Sequence, residues 1–461
     1  MMKKISLLIF LFLGFGAQSQ AVRLADEVSQ YEVLFTNPIC RQYVYPKPVE
    51  SISGELLYGK PKNAYCTSGV DSNQWYSKAR PTDSPQKRII EWISNPNTKE
   101  VFLAFLSFSN TPIGKALCRA ADHGVQINFV MDVNSLKEDG AHAERLLRCG
   151  RGQYGKVPRV IPRGHTGSGR QKIGWAHNKV ILINPGADSM RLVFGSGNLS
   201  NGPNLHHENW HFLTLSAKTY FAQSHLCLMA AQLSNEATIN QSNYTRFMES
   251  CRARISYPEE SDAKVYFIPN PKDSLELMNR VSRLIEVSDE VNVAAHRISS
   301  SWLLKGASSQ GKRFGGLFNH ARKVNFVGDD DLYWLKDGLQ LGPNTRNEYA
   351  NVMTLLKGGA RVGFIETNHE SHQLHHNKYI IGNEIRGGER IGRALLTGAA
   401  NLTDTAFGTT SQFPVNFENI YWIEIPQVLR RFNEQYAYVW QKLATPYQKM
   451  PKTLVIPIIG H

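Results

Sequence analysis

His177-Asn178-Lys179-Val180-Ile181-Leu182-Ile183-Asn184 is followed by Gly195-Ser196-Gly197-Asn198-Leu199 and then by Glu208-Asn209-Trp210. The same order returns later as His376-Asn377-Lys378-Tyr379-Ile380-Ile381-Gly382-Asn383, then Gly398-Ala399-Ala400-Asn401-Leu402, then Glu418-Asn419-Ile420. One His-x-Lys in a chain this long is close to a chance event. A second copy, with its Gly-x-x-Asn and Glu-Asn in the same order, is an internal repeat. The β-branched run Val180–Ile183 places the first His-x-Lys on a strand, where residues two apart share a face. His177 and Lys179 then point one way and Asn178 the other, and the same holds for His376 and Lys378.

The flanks repeat as well. Val101 to Ser109 reads as a buried strand, and Pro112, Leu117 and Ala120–Ala121 as a helix closed by Gly124. Val125 to Met131 is a second strand. In the other half the corresponding strands are Val291–Ala295 and Val324–Val327. Tyr349–Leu356 is helical, and Arg361–Ile365 is a strand leading towards His376. Helices over Thr219–Leu233 and Gln427–Leu443 follow the two asparagine motifs. Strands alternating with helices predict an α/β fold with mostly buried sheets. The expected organisation is a signal peptide over 1–21, a disulfide-tied N-terminal extension over 22–83, and halves over 84–255 and 256–461. The join falls about Ile255 to Ser274. Gly306 to Arg346, rich in Gly, Lys, Arg and Asp, reads as a surface insertion near the site or as disorder. Leu454 to Ile459, interrupted by Pro457, reads as a docked edge strand.

The 461 residues are 42% hydrophobic and 20% charged, a globular balance that excludes a disordered chain. The single long apolar run is at the N-terminus, which excludes a polytopic membrane protein. Lys3 and Lys4, the apolar core Ile5–Phe15 and Ser19-Gln20-Ala21 have the form of a signal peptide cut before Val22. That makes the protein exported, periplasmic or secreted, and its compartment oxidising. Short loops favour Cys40–Cys66, Cys118–Cys149 and Cys227–Cys251 among the six cysteines, with free buried thiols as the other reading. The net charge of +13 suits an anionic partner or a basic solvated surface.

Paired histidines suit a two-step displacement at phosphorus. One imidazole attacks and becomes a phosphohistidine, while the other protonates the leaving oxygen and then activates water or an alcohol. Two lysines and two asparagines can hold the equatorial oxygens as charge builds, so cationic side chains do the neutralising without a metal or other cofactor. Glu208 and Glu418 can accept the second ring N–H and fix the tautomer.

These motifs resemble those of the phospholipase D superfamily, whose signature is HxKx4D followed by GSxN, normally twice. The resemblance covers roughly Ser84 to Ala444. It implies two pseudo-symmetric α/β/α halves sharing one site at their interface, a monomer with an internal pseudo-dimer, and chemistry without metal. It implies His177 as nucleophile, His376 as general acid/base, and Lys179, Lys378, Asn198 and Asn401 as phosphate ligands, with Ser196 assisting. The chain departs from the signature at Asn184 and Asn383, where the aspartate stands, and at Ala399, where a serine is usual.

Three functions remain open on the sequence. A phospholipase D acting on glycerophospholipids, with possible transfer to an alcohol, would meet a phospholipid membrane surface. A secreted endonuclease of the same superfamily would meet nucleic acid. A degenerate, non-catalytic anion- or membrane-binding protein would use the same cleft. Arg159, Arg163, Arg170 and Lys172, in a Gly-rich loop before His177, could guide a polyanion or be a solvated loop. His372, His375 and His376 with His206–His207 offer a zinc-like cluster, but Lys378 beside a metal is unfavourable. Trp175 and Tyr379 flank the motifs as stacking or as core residues.

Overall fold

The computed structural model describes residues 21–38, 40–41, 47–59, 65–66, 84–138, 140–200, 202–309, 312–334, 344–367, 373–410 and 414–452. The expected signal peptide, apart from Ala21, the tail Leu454–Ile459 and His372 lie outside the described residues.

Apolar runs in the first half form β1 (Val28–Thr36), β2 (Glu100–Phe105), β3 (Gln126–Asp132), β4 (Arg159–Arg163), β5 (Ile173–Ala176), β6 (Lys179–Ile183), β7 (Met190–Gly195) and β8 (Glu208–Leu215). The second half supplies β9 (Ala263–Ile268), β10 (Glu290–Ala295), β11 (Val324–Asp329), β12 (Arg361–Ile365), β13 (Lys378–Arg386), β14 (Glu389–Gly398), β15 (Val415–Ile423) and β16 (Ala444–Pro446). The first sheet runs β1-β8-β7-β6-β2-β3-β4 and the second β9-β15-β14-β13-β10-β11-β12-β16, so the strand order repeats with the motifs. In each sheet three neighbours are parallel, β2-β3-β4 and β10-β11-β12, and the strands carrying the motifs are antiparallel.

Alternation along the strands builds the layers. Phe102 and Ala104 of β2 face a core shared by the two sheets, while Val101, Leu103 and Phe105 face outward. The outer face of the first sheet is covered by α1 (Pro85–Ile93), α2 (Thr111–Asp122) and α3 (Gly140–Leu147). Between the sheets lie α4 (Tyr220–Leu233) and α5 (Gln241–Arg252), and α6 (Pro271–Val287) and α7 (Asn344–Lys357) cover the second sheet outside. The helix α8 (Pro426–Tyr438) joins the shared core through Val428, Leu429, Phe432 and Tyr436. α4 is apolar on nearly all sides and correspondingly central. Phe194 stacks on Tyr421 across the halves with ring centroids 3.6 Å apart.

Local signals fix the helix ends. Asn110 caps α2 by accepting the N–H of Ile113 at 3.0 Å, and Gly124, at φ +82°, supplies the left-handed turn after it. Cys118–Cys149 and Cys227–Cys251 are disulfides, each worth about 2–4 kcal/mol. The backbones of Cys40 and Cys66 face each other in a two-stranded ladder, and their side chains lie outside the described residues. Among the described residues no helix is long and apolar enough to cross a membrane.

Three expectations need correction. Residues 28–36, assigned to an N-terminal extension, are the edge strand of the first sheet, because the chain there reaches an antiparallel ladder with β8. Gly306–Arg346 is not one insertion. It holds a short hairpin, Gly306–Ser309 with Lys312–Gly315, and then β11, an interior parallel strand. Val324–Val327, expected as a strand, falls inside this stretch and opens β11. The proposed join about Ile255–Ser274 contains β9 and the start of α6.

One feature links the halves. β5 lies parallel to β15, with Ile173 opposite Val415 and Ala176 opposite Phe417. Its counterpart is a parallel bridge between His207 and His375. The chain just before each His-x-Lys therefore runs against the start of the other half's Glu-Asn strand.

Burial holds the imidazoles of His207, His211, His225 and His375 down to about 3, from an ordinary value of 6.5. The unfolded chain takes up protons at these positions below about 6.5 and the folded chain does not until near 3. Their contribution to stability is thus complete above 6.5 and is lost as the pH falls towards 3. The urea midpoint is expected to fall continuously from pH 7 to pH 4, and an unchanged midpoint over that range would contradict this burial.

Candidate active site

Lys179 and Lys378 open β6 and β13, and His177 and His376 sit just before those strands rather than within them. The histidines are placed by backbone bonds across the halves: His177 N–H donates to Phe417 O and His376 N–H to His207 O, both at 3.0 Å. Asp132, ending β3, accepts the N–H of Ala176 at 2.8 Å, and Asp329, ending β11, accepts that of His375 at 2.7 Å. Each carboxylate thus holds the residue preceding one of the two histidines.

The side-chain pairing is crosswise. His177 Nδ1 lies 2.8 Å from Glu418 Oε2, and His376 Nδ1 lies 2.7 Å from Glu208 Oε1. Each half thus supplies the glutamate for the histidine of the other. The asparagines after the glutamates bridge the same seam. Asn209 Nδ2 donates to Asn377 Oδ1 at 3.1 Å, and Asn419 Oδ1 accepts the N–H of Lys179 at 2.7 Å.

Lys179 Nζ is 3.1 Å from His177 Nε2. An ammonium has donors only, so Nε2 accepts and Nδ1 carries the ring proton towards Glu418. This fixes a neutral imidazole whose Nε2 lone pair faces the site. Burial, and then the charges of Lys179 and Lys378, keep His177 well below its ordinary value. Burial and Lys378 do the same to His376. Burial lowers Lys179 to about 8 and pushes Glu418 up to about 8, with Lys179 drawing Glu418 back. Lys378, also lowered by burial, donates to His376 O at 2.8 Å and to Ser196 O at 3.3 Å. Two lysines and two glutamates, all buried, thus form one cluster.

Asn198 and Asn401 each carry a buried Oδ1 without a partner, so their carboxamides are not committed to the protein on that side. Ser196 is fully buried, and its Oγ accepts the N–H of Asn209 at 3.1 Å. Gly197 is a steric requirement: a Cβ there would stand 1.6 Å from Glu208 Oε2. The two asparagines in the aspartate position serve the scaffold. Asn184, at φ +52°, accepts the N–H of Lys99 at 2.7 Å, and Asn383 accepts from Asn433 Nδ2 at 2.8 Å.

His206 takes a place that its motif did not suggest. Its Nδ1 is 3.1 Å from the same Glu208 oxygen that His376 engages, whereas Glu418 receives Asn416 Nδ2 at 3.1 Å. Its closeness in sequence to Glu208, in the bend just before β8, was the available signal. The ligand atoms of His206, Glu208 and His376 lie within 4.8 Å of one another, a set that could hold a metal ion. His207 and His375 instead pair across the bridge between the halves. Arg163 does not face a polyanion: it is buried, with Nε donating to Gln232 O at 2.7 Å. Arg159, Arg170 and Lys172 are exposed. Trp175 is exposed and edge-on to His165, with centroids 4.6 Å apart, while Tyr379 is core.

No protein-family model matches the chain, and no curated protein matches it significantly. Among solved structures, the phosphatidylserine synthase of Haemophilus influenzae Rd KW20 is similar with a TM-score of 0.51 at 11% identity, over 79% of this chain and 85% of that one. A polyphosphate kinase from Porphyromonas gingivalis gives 0.44 at 12% identity, over 80% of this chain and 48% of that one. This chain thus spans about half the kinase's length. Yeast tyrosyl-DNA phosphodiesterase gives 0.46 at 13% identity, over 73% of this chain and 86% of that one. The likeness to the synthase is one of fold.

Crosswise pairing has a direct readout. In Glu418→Gln the ring nitrogen resonances of His177 should shift and those of His376 should stay. Glu208→Gln should do the reverse and also move His206. Ring-nitrogen NMR of histidine-labelled protein checks this, and a shift of His376 in Glu418→Gln would refute the pairing.

Proposed function

We propose that the protein is a phosphodiesterase that works without a metal through a phosphohistidine, and that its substrate is a glycerophospholipid cleaved at the distal ester. The crosswise His177–Glu418 and His376–Glu208 pairs around two buried lysines carry this reading. The phosphodiester enters as an anion and draws the Lys179 ammonium from His177 Nε2 onto its oxygens. His177 Nε2 attacks phosphorus and the bond to the leaving oxygen breaks; His376, which takes up a proton from solvent once the phosphodiester anion offsets the charge of Lys378 beside it, gives that oxygen its proton. His376, now neutral, takes a proton from water or an alcohol, whose oxygen attacks phosphorus and breaks the P–N bond. Glu418 and Glu208 stabilise the imidazolium that forms beside each. Asn198, Asn401 and the lysines hold the equatorial oxygens.

The lipid reading is supported by the similar synthase, which its name assigns to phospholipid chemistry, and by the reading of the N-terminus as a signal peptide. The two disulfides suit an oxidising compartment. Endonuclease action is the second reading. Exposed Trp175 of β5, two residues before His177, with exposed Arg170 and Lys172 on the segment leading into that strand, suits a stacked base and a phosphate backbone. One assay separates them: purified protein in EDTA, on mixed phospholipid vesicles and on plasmid. Choline or ethanolamine release supports the first reading. Nicking alone replaces it with the second. Binding without either product would mark a non-catalytic protein.

His177→Ala and His376→Ala are each expected to lower turnover by about 10³-fold or more while the fold survives. Full activity in either would remove that residue from the mechanism. The pH profile of kcat/KM should be bell-shaped. Its alkaline limb should begin near 8, where Lys179 loses the proton that holds the phosphate. A profile flat from pH 5 to 9 would count against this site.

A further inference from the structure

A cleft of about 320 Å³ opens between α2 (Thr111–Asp122) and α3 (Gly140–Leu147), on the outer side of the first sheet. Its floor is apolar: Phe108, Leu146 and the backbone of Gly114. Lys115, Arg119 and Arg145 stand exposed at its rim, and among the described residues lining it none is acidic. The Cys118–Cys149 disulfide ties α2 to the chain leaving α3, so the two walls are cross-linked.

Apolar floor and cationic rim together select a ligand. Water on the floor finds few hydrogen-bonding partners, and three neighbouring cations without a carboxylate among them repel one another. An anion at the rim relieves the second problem and a hydrocarbon chain the first. The volume lies at the low end of ligand pockets, enough for one chain and not for a two-chain phospholipid. We propose that this cleft binds the anion of a single-chain fatty acid. The chain lies along Phe108 and Leu146, and the carboxylate is held by Arg119 and Arg145. None of these residues belongs to the His-x-Lys site, so the binding stands or falls independently of the proposed reaction.

Calorimetric titration of the purified full chain with decanoate, decan-1-ol and decyl phosphate at low salt tests the assignment. Decanoate is expected to bind saturably at one site, and the alcohol at least about tenfold more weakly. Arg119→Glu and Arg145→Glu, both at exposed positions, should each weaken decanoate about tenfold without moving the thermal midpoint. Gly114→Leu should abolish binding, since a Cβ at 114 already lies 3.3 Å from Phe108 Cζ and a larger side chain fills the cleft. If that variant fails to fold, the two charge reversals decide. The proposal is overturned if decanoate does not bind, if the alcohol binds equally well, or if both charge reversals leave decanoate affinity unchanged. Decyl phosphate binding more than about tenfold tighter than decanoate would also overturn it, assigning the cleft to phosphate monoesters.

Discussion

The structure depends on an exchange of backbone between the halves. β5 (Ile173–Ala176) of the first half lies beside β15 (Val415–Ile423) of the second, and His207 and His375 bridge in the corresponding place. This exchange fixes where each His-x-Lys begins relative to the other half's glutamate. A hydrogen bond of 2.7–2.8 Å tolerates little displacement, so the two imidazole–carboxylate pairs exist only while both seams are closed. The shared core, with Phe194 stacked on Tyr421, holds them closed. Neither half alone contains a complete pair.

Burying charge is costly, and the arrangement reflects that. Lys179, Lys378, Glu208 and Glu418 are all buried, two of each sign. Removing one would leave an uncompensated charge, costing about 3–5 kcal/mol. The same burial lowers the lysines and histidines and raises Glu418. An entering anion meets donors not fully committed to the protein. Gly197 is where sequence and electrostatics meet most closely, because any side chain there would occupy the space of Glu208.

The repeat is a repeat of plan, not of chemistry. Glu208 serves two imidazoles, His376 and His206, whereas Glu418 serves one imidazole and the amide of Asn416. Lys179 reaches an imidazole nitrogen, while Lys378 reaches backbone carbonyls of both halves. Ser196 has Ala399 as its counterpart, so one cradle has a hydroxyl that the other lacks. These differences give the two histidines different surroundings, as a reaction with one nucleophile and one acid/base requires.

The sequence alone determined the repeated plan, the alternation of strands and helices and the residues that meet in the site, and it favoured the two disulfide pairings without deciding them. Each rests on short-range pattern: period-two burial, helix punctuation such as Pro112 and Gly124, loops short enough to close. It left undecided which glutamate serves which histidine, that His206 joins Glu208, and that Arg163 is buried under Gln232. Those pairings join residues 241, 168 and 69 positions apart, or turn on which of two neighbouring histidines faces inward. Spacing along a chain reports the face of a strand, but a partner across an interface is set by how two sheets pack and where their edges exchange. That information exists only once the chain has folded on itself.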